Sequence, residues 1–380
     1  MRTQVAGHRI AAGERFFAAE AARLARLCHR MAERFARGGR LVAVGHSAAA
    51  RSDAHHIAVE FVHPVIVGKR ALPALAVNGP HEVALLVEPE DIVVAFEPAA
   101  SDALSVAAAG GALTIGFGGA AAEWSFDPAD SDAFVAQEIA ETSYHLLWEL
   151  VHVFFEHRGL LEGRGKEQTH DSGASSFLYP FLGEQEHDLD AVLEDVRRSV
   201  LMKAEEIGEL RAQTLGEDVA GAARALRASF DAGGKLLALG NGGSATDAMD
   251  VVADFRLPPR GWPARPAIDL TADSSIITAV ANDIGTEAIF ARQIIAYGRP
   301  GDALLALSTS GNSDNVIAAL VEARKRGLQT IACVGYDGGR VAAEDLADHV
   351  VITRSEHIPR IQEAQASAYH VLRELVESAA

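Results

Sequence analysis

The sequence predicts two doubly wound α/β domains in tandem, each built on a parallel sheet with helices on both faces. Short, nearly continuous apolar runs alternate with helical patterns along the 380 residues, as buried parallel strands do in such folds. The order of elements also occurs twice. Residues 35–46 match residues 230–241, and a Gln-Glu and Tyr-His pattern at 137–145 recurs at 362–370. We therefore interpret the chain as a duplication of one α/β unit.

This duplication sets the predicted domain limits. The first domain is expected at residues 1–160 and the second at residues 187–380. Between them, residues 161–186 are rich in glycine and serine and contain Pro180, which predicts a linker. Its centre, residues 176–182, is apolar enough that we expect it to pack on one of the domains.

Helical periodicity and apolar runs locate the individual elements. Helices are expected over residues 10–37, 53–61, 131–157, 187–230 and 360–378. Strands are expected at residues 40–45, 73–77, 91–96, 112–117, 235–239, 266–270, 303–307, 329–334 and 349–353. Residues 103–122 are weakly apolar, but their five glycines predict a helix followed by a strand and not a membrane span.

The composition excludes some classes of function. The formal net charge is -18, so a basic face large enough to bind nucleic acid is not expected. Cys28 and Cys333 lie far apart without a metal-binding spacing, which favours two inert thiols in a reducing compartment. The N-terminus lacks the apolar segment of a signal peptide. We expect a cytoplasmic protein with neither a nucleic-acid partner nor a membrane partner.

Two polar turns follow predicted strands of the second copy. Residues 240–244 read Gly-Asn-Gly-Gly-Ser after one strand, and residues 308–313 read Ser-Thr-Ser-Gly-Asn-Ser after another. Ligands of open parallel sheets bind beyond the carboxyl ends of the strands. Backbone N–H groups and hydroxyls at such ends bind a phosphate without needing arginine or lysine. Two ordinary β–α turns with N-capping serines are the alternative.

Together with Ala281-Asn282-Asp283 and the segment 360–363 (Arg-Ile-Gln-Glu), these turns resemble the sugar isomerase (SIS) domain, and within it the phosphoheptose isomerases. The resemblance spans residues 190–378, and residues 10–157 resemble a diverged SIS domain. It implies a flavodoxin-like fold in each copy and a homo-oligomer, here a dimer of tandem chains. It also implies that a phosphorylated sugar contacts Asn241, Gly242, Gly243, Ser244, Asn282, Asp283, Ser308, Thr309, Ser310, Ser313 and Gln362.

The same resemblance implies a divalent metal, with Zn²⁺ as the expected ion. The family ligands are a His and a Glu on the helix after the glycine loop, and a Gln and a His on the last helix. In the first copy these positions hold His56, Glu60, Gln137 and His145. In the second copy they hold Asp250, Asp254, Gln362 and His370. Both sets carry nitrogen and oxygen donors that Zn²⁺, Mn²⁺ and Fe²⁺ accept.

The two copies diverge in opposite senses. The first keeps the family's metal ligands, but it has the segment 46–49 (His-Ser-Ala-Ala) and Glu97 where the second has its polar turns. Glu97 is expected to repel a phosphate. Three interpretations stay open: a composite site to which both copies contribute, a second copy that works alone with a modified metal set, and a metal-free polar pair of His56 and His145.

The reaction that the resemblance implies is an aldose–ketose isomerisation of a phosphosugar through an enediol, with sedoheptulose 7-phosphate as the leading substrate. The catalytic acid–base pair is Glu60 with His145 if the first copy works, or Asp254 with His370 if the second does. Pro359 stands where family isomerases carry an aspartate. A non-catalytic SIS scaffold or a sugar-phosphate-responsive regulator is therefore the rival interpretation.

Overall fold

Two five-stranded parallel sheets form the framework of the computed structural model. The structure describes residues 2–65, 69–128, 130, 132–156, 188–258 and 261–378. The N-terminal unit consists of residues 11–208, and the C-terminal unit consists of residues 1–10 and 209–380. These limits differ from the predicted domains at two places: residues 1–10 group with the second sheet, and residues up to 208, predicted in the second domain from 187 on, group with the first. The predicted linker at 161–186 lies outside the described residues.

The first half of the chain supplies one sheet and its covering helices. Its elements are α1 (Arg2–Ala36), β1 (Leu41–Val44), α2 (Ala48–Val62), β2 (Ala74–Val77), α3 (Pro80–Leu86), β3 (Ile92–Ala95), α4 (Ser101–Ala109), β4 (Leu113–Phe117), β5 (Trp124–Phe126) and α5 (Ala133–Glu156). The strand order is β2-β1-β3-β4-β5. The four predicted strands are confirmed, whereas the short edge strand β5 was not predicted.

The second half repeats this arrangement. Its elements are α6 (Leu189–Thr214), α7 (Glu217–Asp231), β6 (Leu236–Leu239), α8 (Gly243–Arg256), β7 (Ala267–Asp269), α9 (Ser274–Asp283), α10 (Ile289–Tyr297), β8 (Ala303–Ser308), α11 (Asp314–Lys325), β9 (Gln329–Gly335), α12 (Gly339–Ala343), β10 (His349–Thr353) and α13 (Ile358–Ser378). The strand order β7-β6-β8-β9-β10 is that of the first sheet. The single helix predicted at 187–230 is wrong, because the chain breaks at Leu215 and Gly216 into α6 and α7.

Alternate residues of the central strands face opposite helical layers. In β6, Leu236 and Ala238 lie in one apolar cluster, while Leu237 and Leu239 lie in another. The central strand β1 is divided in the same way between two clusters. A strand buried on both faces has to be apolar at every position, which is why these runs were readable from sequence. The predicted doubly wound α/β class is confirmed.

A matching ion pair sits at the start of the central strands in each unit. Arg40, just before β1, binds the carboxylate of Asp91, just before β3, with an Nη2–Oδ2 distance of 2.7 Å. Lys235, just before β6, binds Asp302 before β8 in the same way. Backbone amides of Arg40 and Lys235 also donate to these carboxylates, at 2.8 and 3.0 Å. The duplication is thus visible in side-chain contacts as well as in strand order.

The helices that the structure describes are too short or too polar to cross a bilayer. Within the described ranges, none of them combines the length and the apolar character that a bilayer span requires. The segment 103–122, which the sequence left weakly apolar, forms the end of α4 and then β4, as predicted.

Candidate active site

In the C-terminal unit, the strand order defines a crevice, the space beyond the carboxyl ends of β6 and β8. After β6 the chain turns to β7 on one side, and after β8 it turns to β9 on the other. This reversal is the topological switch point at which open α/β sheets bind their ligands. The glycine loop (residues 240–244) follows β6 and the serine turn (residues 308–313) follows β8, so both predicted turns border the crevice.

The glycine loop is shaped by two glycines with different constraints. A Cβ added at Gly240 would lie 2.1 Å from the carbonyl oxygen of Ser244, so no side chain fits there. Gly242 has φ 56° and ψ −125° and precedes α8 as its N-cap without a side-chain cap. Among the described residues, the amides of Gly242 and Gly243 donate to no protein acceptor. Two such N–H groups at a helix start favour an anionic ligand.

The serine turn holds its hydroxyls inside the turn. Ser308 Oγ accepts a hydrogen bond from the amide of Gly311 at 3.1 Å, and Ser310 Oγ accepts one from Asn312 at 3.2 Å. Gly311 has φ +63°, and a Cβ there would lie 2.3 Å from the oxygen of Gly338. Ser313 is the N-cap residue of α11, yet its side chain makes no capping hydrogen bond. The alternative of ordinary N-capping serines therefore does not describe this turn.

Of three other predicted sugar contacts, one lies in the glycine loop and two lie on α9. Asn241 exchanges two amide hydrogen bonds with Asn315 of α11, both at 2.9 Å. Asn282 and Asp283 are exposed at the end of α9, where Asn282 donates to the Asp283 carboxylate at 2.7 Å. The structure therefore places Asn241 at the crevice, while the role of Asn282 and Asp283 stays a prediction.

A buried cluster joins α8 to α13 in the same unit. Asp250, Asp254 and His370 bring one ligand atom each within 4.8 Å of one another. The Nε2 atom of His370 lies 3.4 Å from Asp250 Oδ2 and 3.6 Å from Asp254 Oδ2. Tyr369 donates its hydroxyl hydrogen bond to Asp250 Oδ2 at 2.9 Å. Gln362, on the same helix α13, is 2% exposed.

These distances fit a divalent metal. Nitrogen and oxygen ligands about 2.0–2.2 Å from a tetrahedral Zn²⁺ are about 3.3–3.5 Å apart. The two distances from His370 Nε2, 3.4 and 3.6 Å, fall at or near that range. The Tyr369 hydroxyl donates to the same Oδ2 atom of Asp250 that faces His370, and it would orient this carboxylate as hydrogen-bonding partners of metal ligands do.

Comparison with known proteins identifies the family. Residues 202–335, which include both turns, match the SIS domain family. A phosphoheptose isomerase of Chlorobium phaeobacteroides is 50% identical over 159 residues, which cover 41% of this chain and 70% of that protein. The chain belongs to the phosphoheptose isomerase family. A phosphoheptose isomerase of Chlorobaculum parvum is 48% identical over 164 residues, covering 42% of this chain and 78% of that protein.

Membership in the phosphoheptose isomerase family makes the chain a sugar-phosphate isomerase. It also makes the chain unusual in length, since these alignments cover less than half of it. The C-terminal domain of glucosamine-fructose-6-phosphate aminotransferase from Francisella tularensis covers 98% of this chain and 94% of its own, with a TM-score of 0.61 at 10% identity. That likeness shows the fold, two SIS-like units in one chain.

In the N-terminal unit, the equivalent crevice between β1 and β3 is bridged by a side chain. Glu97, after β3, accepts hydrogen bonds at Oε1 from the amides of His46 and Ser47, the latter at 2.8 Å. Ser47 in turn caps α2 by accepting from the Ala50 amide at 3.1 Å. The sequence predicted that Glu97 repels a phosphate. The structure adds that its carboxylate accepts hydrogen bonds from two backbone amides of this loop.

The N-terminal unit of the chain also has a buried cluster, which lies between α2 and α5. His56, Glu141 and His145 each bring a ligand atom within 4.8 Å of the others. Glu60 Oε1 lies 3.9 Å from His56 Nε2 and is not part of that three-residue group. Gln137 donates from Nε2 to the carboxylate of Asp53 at 3.4 Å. The structure thus places His56, His145 and Glu141 together with Glu60 beside His56, and the ligand role of Glu60 and Gln137 stays a prediction.

Sequence reasoning missed Glu141 because the family pattern has its two ligands on the last helix eight residues apart. Glu141 lies midway between Gln137 and His145, at steps of four on one helix stripe. That spacing was the available signal. In the C-terminal unit the corresponding position is Ala366, which is fully buried.

Proposed function

We propose that the C-terminal unit catalyses ketose–aldose isomerisation of a phosphorylated sugar, with sedoheptulose 7-phosphate as the leading substrate. The observation that carries the proposal is the pair of turns that border the β6–β8 crevice. The relatives named above are phosphoheptose isomerases, which supports a seven-carbon sugar.

In this proposal, the phosphate binds the amides of Gly242 and Gly243 together with the hydroxyls of the serine turn. Neither group carries a charge that varies near neutral pH, so binding depends on geometry and on the helix start. Thr309 and Ser310 are half-buried at the crevice, and Ser308 is almost fully buried. The sugar chain then extends from the phosphate toward the cluster of Asp250, Asp254 and His370.

The chemistry is a proton transfer between adjacent carbons. Asp254 removes the proton from the carbon next to the carbonyl group, and the electron pair forms the enediol double bond. His370 moves the proton between the two oxygens. Return of the first proton to the neighbouring carbon completes the isomerisation, with no net change in oxidation. A divalent metal held by Asp250, Asp254, Gln362 and His370 would polarise the carbonyl oxygen and stabilise the negative charge of the enediolate.

An assay with paired variants tests this proposal. The full chain is incubated with sedoheptulose 7-phosphate and with five- and six-carbon ketose phosphates, and aldose formation is measured. We expect turnover in the wild type, loss of turnover in H370A and retained turnover in H145A, its counterpart in the other unit. Loss in H145A alone would move the chemistry to the first copy. Binding of these sugars without any turnover would favour the scaffold or regulator interpretation.

A further inference from the structure

The cluster of His56, Glu141 and His145 differs from the metal set that the family resemblance implies. Both histidines and the glutamate are nearly inaccessible, at 2%, 0% and 3% exposure. His56 lies on α2, whereas Glu141 and His145 lie one helical turn apart on α5. Burying a carboxylate beside two imidazoles is costly unless charge and hydrogen bonds are compensated.

The imidazole geometry is compatible with a shared cation. His56 Nε2 and His145 Nε2 are 3.4 Å apart, a separation that also allows a hydrogen bond between the rings. Two nitrogens about 2.0–2.1 Å from a tetrahedral Zn²⁺ are about 3.3–3.4 Å apart. The rings are nearly perpendicular, at 76°, with centroids 5.0 Å apart. Tyr144 packs on both rings, at 5.4 Å from His56 and 5.1 Å from His145, which holds their orientation.

The N-terminal unit has a buried carboxylate on α5 that the C-terminal unit lacks. The C-terminal cluster takes both of its carboxylates, Asp250 and Asp254, from α8. In the N-terminal unit the corresponding positions on α2 are His56 and Glu60, and α5 adds Glu141, which corresponds to Ala366 in the other unit. The change creates a set of two histidines and one glutamate, which is a common Zn²⁺ ligand set.

We propose that the N-terminal unit binds Zn²⁺ through His56, His145 and Glu141, with Glu141 in place of Glu60 as the carboxylate ligand. The ligand atoms of Glu141 and both histidines all lie within 4.8 Å of one another, and Glu60, whose Oε1 is 3.9 Å from His56 Nε2, falls outside that group; Glu60 supports the site as an outer neighbour. Because Glu97 accepts hydrogen bonds from the backbone amides of the adjacent loop, metal binding at this cluster does not depend on a bound sugar phosphate. The inference concerns metal binding alone and is independent of the isomerase proposal.

Cobalt binding tests the ligand assignment directly. The full chain carrying D250N and D254N, which disable the C-terminal cluster, is stripped of metal and titrated with Co²⁺, whose visible absorption reports nitrogen and oxygen ligands. We expect one Co²⁺ per chain that Zn²⁺ displaces. E141Q should weaken the affinity by more than about 100-fold, beyond the about 10- to 100-fold range of outer-neighbour changes, in which E60Q should fall.

Two controls keep the test decisive. Circular dichroism and unfolding of the metal-free variants establish that E141Q folds. E141D, which keeps the charge one methylene shorter, should bind Co²⁺ with an altered spectrum and an intermediate affinity. A larger loss for E60Q than for E141Q would assign the carboxylate ligand to Glu60 and overturn the proposal. Absence of stoichiometric Co²⁺ in the parent would overturn the site itself.

Discussion

Replacing Gly240 by alanine tests whether the glycine loop positions the substrate. The new Cβ would lie 2.1 Å from Ser244 O and 2.5 Å from Ser244 C, whereas real Cβ contacts are not closer than 3.0 Å. The loop and the first turn of α8 must therefore separate by about 0.9 Å. A shift of that size misplaces a bound phosphate, and a misplacement of about 1 Å costs about 100-fold in rate. The strain should also lower the free energy of unfolding by about 1–3 kcal/mol.

The N-terminal unit provides a matched control for this substitution. A Cβ at Gly45 would lie 2.2 Å from Ala50 O, nearly the same clash in the other copy. We expect G45A and G240A to lower thermal stability to a similar extent, but only G240A to lower kcat/KM for sedoheptulose 7-phosphate. Equal losses of activity in the two variants, or full activity of a folded G240A, would refute the assignment of the phosphate to the Gly240 loop.

Three further predictions concern stability and reactivity. E97A should lower the free energy of unfolding by about 1.5–3 kcal/mol, because two backbone amides lose a charged acceptor; an unchanged urea midpoint would contradict this. Cys28 and Cys333 should resist alkylation until the chain unfolds, since burial raises both thiol pKa values, that of Cys333 to about 12 with a contribution from a nearby carboxylate. Burial raises the pKa of Asp91, but hydrogen bonds from Arg40 and backbone amides outweigh it, so the net pKa is below the ordinary 3.8. The difference in free energy of unfolding between the wild type and D91N should therefore be largest at neutral pH and disappear as the pH falls below 3.8 through the folded-state pKa. A difference that stays constant in acid titrations would exclude this role.

The central strands were predictable from sequence because every residue in them is buried. Strands such as β1 and β6 are buried on both faces, so each position had to be apolar and the runs were continuous. The edge strand β5 escaped because it has three residues, of which Trp124 is half-buried and Ser125 exposed. Such a short edge segment has neither a continuous apolar run nor a clear alternation.

The boundaries of the units were less predictable because they depend on tertiary packing. Ala6 lies in the same apolar cluster as Leu215 and Val219, although more than two hundred residues separate them. No local pattern in the first ten residues reports that association. The break between α6 and α7 had a local signal at Gly216, but helical periodicity on both sides concealed it.

At the candidate sites, the sequence predicted which side chains lie close together only in part. It brought His56 near His145, and Asp250 and Asp254 near His370, as the structure has them. The positions of Glu141 and of Tyr369, which donates to Asp250, depend on how two helices face one another. That relation is fixed by packing, and a pattern along a single helix only limits it to one stripe of residues.

The two crevices differ in what accepts hydrogen bonds from the start of the helix that follows the first central strand. A helix start after a parallel strand leaves backbone N–H groups that need an acceptor. In the C-terminal unit the amides of Gly242 and Gly243 donate to no acceptor among the described residues, whereas in the N-terminal unit Glu97 accepts from the amides of His46 and Ser47. An internal acceptor stabilises the loop at all times, since it does not depend on substrate concentration. We expect the same carboxylate to repel a phosphate from that crevice, so that one group would account both for a more stable loop and for a loss of sugar-phosphate binding.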